Sequence, residues 1–303
     1  MVDITHKSNT LRYACASARV EVSSEETMQA IRDGKVPKGD VFQMGKAAGL
    51  LAIKQTPNVI PDCHPLPIEY ANISYEMDGL ELRILVEVKT IYKTGVEVEA
   101  MHGASVTALT LYDMLKPIDK GVVIRDIKLE EKKGGKSQFV DKAVKELKAG
   151  VIVCSDTISA GTKEDRAGLK VKEKLEGYGV EVVNYEIIPD EAGDIEKWIH
   201  KAYDDHLNLL IFSGGTGLSP RDITPDVVKP LLDREIPGIA EAARAYGQDR
   251  IPYSMLSRSV AGVKGETLIL TLPGSTKGAE ESMDALFPYL LHVFRILKGS
   301  RHD

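Results

Sequence analysis

Apolar and polar positions follow two different rhythms along this 303-residue chain. Over residues 68–75 they alternate, Asp78-Gly79 supplies a turn, and residues 80–92 resume as a strand, the signature of a β-hairpin. Helical stretches flank it. Residues 38–54 are rich in Ala, Leu and Met, with Asp40 placed to cap their start, and residues 97–116 span about 30 Å if fully helical. Beyond residue 150 the alternation gives way to short continuous apolar runs. Residues 151–154, 180–188, 207–212 and 267–272 each read as a buried strand running into a polar loop, with helical patterns at 167–178 and 192–205 between them. Hairpins with helices predict an antiparallel α+β unit, whereas strands alternating with helices predict a mainly parallel sheet covered on both faces.

The boundary between these textures is predicted in residues 134–149. A polar, glycine-containing stretch (128–136, KLEEKKGGK) precedes a short helical pattern at 140–147. The expected division is a first domain over 1–140, a linker over 141–148 and a second domain over 149–303. No internal repeat relates the halves.

Chemistry concentrates in the loops. The run LNLLIFSGGTGLSPRDITP (207–225) reads as a buried strand, a glycine-rich turn and a helix start. Glycines let a backbone approach a phosphate, and a helix N-terminus offers free N–H groups. The run lacks the Lys-Ser/Thr ending of a P-loop. A turn of this kind also occurs for steric reasons alone. In a parallel sheet the loops after the strands share one edge, where ligands bind. The Ser/Thr hydroxyls and glycine amides of these loops (Gly214, Gly215, Thr216 and Gly217 among them), Lys277 and the carboxylates Asp190 and Asp222 are therefore expected to converge, a set suited to a nucleotide polyphosphate with Mg²⁺, for which Asp222 offers a ligand.

In the first half, Asp113 and Lys116 share a helix face among mostly apolar neighbours, a setting expected to shift their pKa values; the alternative is a solvated ion pair. His64 lies in IPDCHP, where two prolines stiffen the loop, and is expected to present its imidazole to a substrate or phosphate. Cys63-His64 lacks the further spaced ligands of a metal site. Lys136, after two glycines, is either surface charge or a phosphate anchor.

Composition narrows the classes. The first 145 residues carry as many bases as acids, so the whole net charge of −6 lies beyond them and neither half is a nucleic-acid platform. No apolar run of about 18 residues predicts a membrane span, and the N-terminal residues show no apolar signal core. Three scattered cysteines give no disulfide pattern, which makes the cytoplasm the expected location.

Specific motifs add a resemblance over nearly the whole chain. VDIT near the start, KGDVF (38–42), IPDCHPL (60–66), TGVEVEA (94–100), LTLYDMLK (109–116) and GGKS (134–137) resemble cyclic pyranopterin monophosphate synthase. CSDTISAG (154–161), IPDE (188–191), SGGTGLSPRDITP (213–225) and LPGSTKG (272–278) resemble the molybdopterin adenylyltransferase family. The resemblance implies a fusion of two enzymes of molybdenum cofactor biosynthesis. The first converts cyclic dihydroguanosine triphosphate to cyclic pyranopterin monophosphate with release of pyrophosphate. The second adenylylates molybdopterin, a substrate rather than a held cofactor, using Mg-ATP.

On this resemblance Lys38, Asp113 and Lys116 match catalytic positions, with Asp113 tuning Lys116. Cys63, His64, Glu97, Val98 and Glu99 match the substrate pocket, and Lys54 and Lys136 are expected phosphate contacts. Val98 stands where that family usually has methionine, and His102 introduces an ionisable group near Glu99. Asp190 and Asp222 match the second family's functional carboxylates, Gly214 to Gly217 its phosphate cradle, and Ser155, Asp156, Ser275 and Lys277 its pocket lining. The expected architecture is a ferredoxin-like α+β domain, an antiparallel sheet with helices, joined to a three-layer α/β domain with a mainly parallel sheet. A homo-oligomer with three-fold symmetry, trimer or hexamer, is expected, with other molybdenum cofactor enzymes as candidate partners. The rival expectation is that only the first half is catalytic, the second being a molybdopterin-binding or scaffolding domain.

Overall fold

A computed structural model describes residues 1–135 and 146–299. Lys136 and nearly all of the helix expected at 140–147 fall outside the described residues. The chain divides into two compact units, Met1–Phe139 and Val140–Asp303.

The first unit runs β1 (Thr10–Glu21), α1 (Glu25–Arg32), α2 (Val41–Val59), β2 (Tyr70–Asp78), β3 (Glu81–Tyr92), α3 (Glu97–Leu115) and β4 (Val123–Lys133). Its sheet has the order β2-β3-β1-β4 with every pairing antiparallel, a ferredoxin-like arrangement. Asp40 caps α2 as expected, accepting from the N–H groups of Phe42 and Gln43. One face of the sheet is buried under the helices. On β1 that face carries Ala14, Ala16, Ala18 and Val20, each opposite a larger residue of β3: Val88, Val86, Ile84 and Leu82. Small residues on the central strand leave room for α3, which lays Ala100, Ala104, Ala108, Leu111 and Leu115 into the same core. Spacings of three and four keep these on one helix face.

The second unit runs β5 (Lys148–Cys154), α4 (Asp156–Ser159), α5 (Ala167–Gly177), β6 (Glu181–Ile188), α6 (Ala192–Asp204), β7 (Leu209–Ser213), α7 (Thr224–Val228), β8 (Arg234–Glu235), α8 (Pro237–Gln248), β9 (Ala261–Lys264), β10 (Thr267–Leu272), α9 (Thr276–Leu286) and α10 (Val293–Leu297). Its sheet has the order β6-β5-β7-β10-β9-β8. The first four strands are parallel, and β9 and β8 join antiparallel at one edge. Alternate residues of the buried strands enter two cores: Val151, Ile211 and Leu270 meet α5 and α9, while Ile152, Phe212 and Ile269 meet α6 and α7. Continuous apolar runs are what a strand buried on both faces requires. Registers pair Cys154 with Ile188, Val153 with Ser213 and Leu272 with Ser213, so the loops after β5, β6, β7 and β10 leave from one edge.

Candidate active sites

In the first unit the expected site residues form two groups. Lys38, in the turn before α2, donates from Nζ to Asp113 Oδ2 at 2.6 Å and to the Asp113 carbonyl at 2.9 Å. Lys116, the C-cap of α3, reaches Asp113 Oδ1 at 2.7 Å. Hydrogen bonds from Lys116 and then Lys38 hold the Asp113 carboxyl down to about 2, and the Asp113 carboxylate raises the Lys116 pKa. The apolar setting expected for this pair is not found. The side chains of Asp113 and Lys116 are 51% and 49% exposed, because the neighbouring Leu111, Met114 and Leu115 turn into the core on the other face of α3.

The second group lies at the start of α3. Glu99 is buried and accepts from Cys63 Sγ at 3.2 Å. Burial raises the Glu99 pKa against the opposing effect of that hydrogen bond, and burial with the Glu99 contact pushes the Cys63 thiol up to about 12. The contact holds the Cys63 thiol as a donor to Glu99. Glu97 is paired with Lys132 at 3.2 Å. His64 Nε2 bonds the Val2 carbonyl at 2.8 Å, and Asp62 holds the terminal amine at 2.8 Å, so the N-terminal segment rests on the IPDCHP loop. His102 Nδ1 meets Thr56 Oγ1 at 3.1 Å and ties α3 to α2. Lys54 on α2 and Val98 on α3 are exposed. Fourteen residues separate Glu99 from Asp113 on one continuous helix, about 21 Å at 1.5 Å per residue. Within one chain the two groups are not brought together.

In the second unit the sheet edge does gather its residues. Asp156 and Asp190 clasp each other reciprocally: the Asp156 N–H donates to Asp190 Oδ2 at 3.1 Å, and the Asp190 N–H donates to Asp156 Oδ1 at 3.0 Å. Asp190 is 9% exposed and its Oδ1 has no hydrogen-bond partner. Burial, followed by the charges of Asp156 and Asp222, raises its pKa against an opposing hydrogen bond from the Asp156 N–H.

The glycine loop faces this atom. Gly215, at φ +60°, lies so close that an added Cβ would stand 2.9 Å from Asp190 Oδ1 and closer still to Thr224 Oγ1. Gly214, at φ +115°, brings its Cα so near the Cys154 carbonyl that an added Cβ would collide with it. Only glycine fits either place. Asp222 Oδ2 accepts from the Ser219 N–H at 2.8 Å. Ser155 and Ser275 cap α4 and α9. Lys277, in the first turn of α9 at the same sheet edge, is 74% exposed and lies 3.8 Å from Glu281, one turn along its own helix.

Two arginines organise these loops, and their roles were missed in the sequence because neither contact is local. Arg221 forks onto Asp156, with Nε to Oδ2 and Nη2 to Oδ1 both at 2.9 Å, and Nη2 also reaches Glu191 at 2.8 Å. Arg258 donates its backbone N–H to the Thr216 carbonyl at 2.9 Å, Nε to the Gly217 carbonyl at 2.7 Å, Nη1 to the Asp226 carboxylate at 2.8 and 2.9 Å, and Nη2 to the Asp222 carbonyl. It therefore pins both ends of the loop that carries Asp222.

Among the described residues no group of three or more His, Cys, Asp or Glu is placed to hold a metal unaided. The donors nevertheless fit Mg²⁺, which commonly takes one or two carboxylates and completes its shell with water and substrate phosphate. The unpartnered, buried Asp190 Oδ1 beside a glycine cradle is the observation that supports this fit.

Comparison with known proteins agrees with the division of the chain. Residues 1–135 match the MoaC family, and residues 150–292 match a family described as a probable molybdopterin binding domain. A molybdenum cofactor biosynthesis bifunctional protein of Chlorobaculum tepidum is 39% identical over 302 residues, covering 100% of this chain and 96% of its own length. Its counterpart from Synechococcus elongatus is 34% identical, covering 100% and 98%. A cyclic pyranopterin monophosphate synthase of Clostridium perfringens is 48% identical over 139 residues, 45% of this chain and 87% of its own. Among solved structures, the molybdopterin biosynthesis enzyme MoaB of Thermus thermophilus is 44% identical with a TM-score of 0.49, covering 52% of this chain and 99% of that one. With full-length relatives carrying both halves in the same order, the chain belongs to the family of molybdenum cofactor biosynthesis bifunctional proteins, a MoaC-like domain followed by a MoaB/MogA-like domain.

Proposed function

We propose that the two units catalyse separate steps of molybdenum cofactor synthesis. The first converts cyclic dihydroguanosine triphosphate to cyclic pyranopterin monophosphate and pyrophosphate, and the second joins molybdopterin to the adenylyl group of ATP, releasing pyrophosphate. The observation that carries the second assignment is Asp190 Oδ1, buried and unpartnered against the glycine loop. Mg²⁺ held by Asp190 and Asp222 would neutralise polyphosphate charge. The backbone of Gly214 to Gly217 seats the phosphates, Arg258 fixes the loop, and the reaction consists mainly of positioning and electrostatic stabilisation.

In the first unit Lys116 stays protonated beside Asp113, which suits a proton donor or a fixed positive charge facing phosphate. Lys38 shares the carboxylate, so Asp113 orients both amines rather than exchanging protons itself. Glu99 and Cys63, with Glu97 and His64, shape the second half of the pocket. Because one chain holds these groups about 21 Å apart along α3, a complete pocket takes its halves from two copies. The outward faces of α2 and α3 carry Met44, Leu51, Val98, Leu109 and Tyr112 in exposed positions, an apolar surface suited to such a contact. A two-fold pairing of this kind fits a hexamer built with three-fold symmetry.

Co-assembly tests the shared pocket. Homomers of Lys116→Ala and of Glu99→Gln should each be inactive in pyranopterin formation, whereas mixed oligomers should regain a substantial share of the activity. Mixed oligomers as inactive as either parent would place the whole pocket within one chain.

A further inference from the structure

The proposed nucleotide edge holds four carboxylates, Asp156, Asp190, Glu191 and Asp222, and Arg221 is the guanidinium set among them. Both oxygens of Asp156 are engaged by its fork, and Glu191 takes a further bond from Nη2. Asp156 in turn is locked to Asp190 by their reciprocal backbone bonds. Arg221 thus balances charge on the residue that clasps the buried carboxylate, while its own side chain is 53% exposed and its backbone belongs to the loop that follows the glycine cradle.

A pair this exposed is weak, and a guanidinium binds a phosphate with the same bidentate geometry it uses for a carboxylate. An arriving polyphosphate with its divalent cation brings replacements for both sides: phosphate oxygens for the arginine and, for the acidic edge, the charge of a metal ion held by Asp190 and Asp222. We propose that Arg221 is an exchangeable cation of this site, which pairs with Asp156 and Glu191 and transfers to the phosphates when a metal–nucleoside triphosphate binds. The exchange keeps the acidic edge folded and charge-balanced between turnovers. It also makes metal and nucleotide cooperate, because nucleotide phosphates draw away the cation that competes with the metal. The inference rests on the assignment of a nucleotide to this edge.

The test uses the full-length chain with Mn²⁺ as probe, titrated by electron paramagnetic resonance with and without a non-hydrolysable ATP analogue. Without nucleotide, Arg221→Gln should bind Mn²⁺ about fivefold tighter than wild type, since one competing positive charge is gone from a partly screened site. Its KM for ATP should rise by about tenfold or more, the loss of one charge-assisted phosphate contact. Arg221→Lys, which keeps the charge without the fork, should leave Mn²⁺ affinity near wild type. The two readouts then move in opposite directions, which a merely structural arginine does not produce. Equal or weaker Mn²⁺ binding by Arg221→Gln, with the circular dichroism of the folded chain unchanged, overturns the proposal. A wild-type chain that binds Mn²⁺ but neither binds nor turns over ATP would instead remove the nucleotide assignment on which it rests.

Discussion

At the residue scale, Asp113 and Glu99 of α3 behave oppositely because Glu99 is buried and Asp113 is not. Asp113 sits in water between two ammonium groups and stays ionised down to about pH 2, so the Lys38–Asp113–Lys116 arrangement is unchanged across the neutral range. Removing the amine at one end should be severe for chemistry and mild for folding. Lys116→Ala is expected to lower pyranopterin formation by at least about 10²-fold, the scale of a lost proton-transfer group, measured in a single-turnover assay. Its thermal transition should shift little, because an exposed ion pair adds little stability.

Glu99 is the reverse case. Its folded pKa lies above that of an exposed glutamate, so folding opposes its ionisation. Stability from this group is present below the unfolded pKa of about 4.3, falls as pH rises toward the raised folded value, and stays lower above it. Glu99→Gln should therefore raise the unfolding temperature of the first unit at pH 7 relative to wild type and lose that advantage near pH 4. It should also abolish pyranopterin formation. Calorimetry at the two pH values checks this, and a variant destabilised at pH 7 would contradict it.

At the element scale, what could be read in advance depended on whether the signal was local. The hairpin of β2 and β3 announced itself through alternation and the Asp78-Gly79 turn, and α2 through its Asp40 cap. The strands β5, β7 and β10 stood out because burial on both faces demands uninterrupted apolar residues. The strand β1 gave no comparable pattern, since its inward positions are mostly alanine and its outward ones include Leu11, Tyr13 and Cys15. Largely exposed β4 carries mainly charge, and β8 has only two residues. The glycine loop was legible as a loop, but its fixation by Arg258 depends on a partner more than thirty residues away.

The loop's geometry makes a sharp test. Gly215→Ala would push a methyl against Thr224 Oγ1 and Asp190 Oδ1 and force a side chain into a left-handed backbone, a cost on the order of 1–2 kcal/mol before any clash. Adenylylation should fall by about 10²-fold or more, as when preorganised backbone donors are displaced, while pyranopterin formation remains. Arg258→Ala should act more softly, weakening apparent Mg²⁺ affinity by about 10–100-fold, as expected of a residue that positions others. Its effect is read from the Mg²⁺ dependence of the adenylylation rate.

At the scale of the whole molecule, two units with different architectures each carry their own set of charged groups. On the proposed reading the first takes the halves of its pocket from two copies, whereas the second gathers its loops at one sheet edge within a single chain. The product proposed for the first unit, cyclic pyranopterin monophosphate, is not the molybdopterin proposed as substrate of the second. Joining the units therefore does not require a product to pass from one site to the other. We infer that both halves are enzymes and that they work independently. A paired assay of both reactions on three full-length proteins, wild type, Lys116→Ala and Asp222→Ala, tests this directly. Wild type should give both products, Lys116→Ala only adenylylated molybdopterin, and Asp222→Ala only cyclic pyranopterin monophosphate. Wild-type chain that binds molybdopterin without adenylylating it, or a single substitution that silences both reactions in a folded protein, would contradict it.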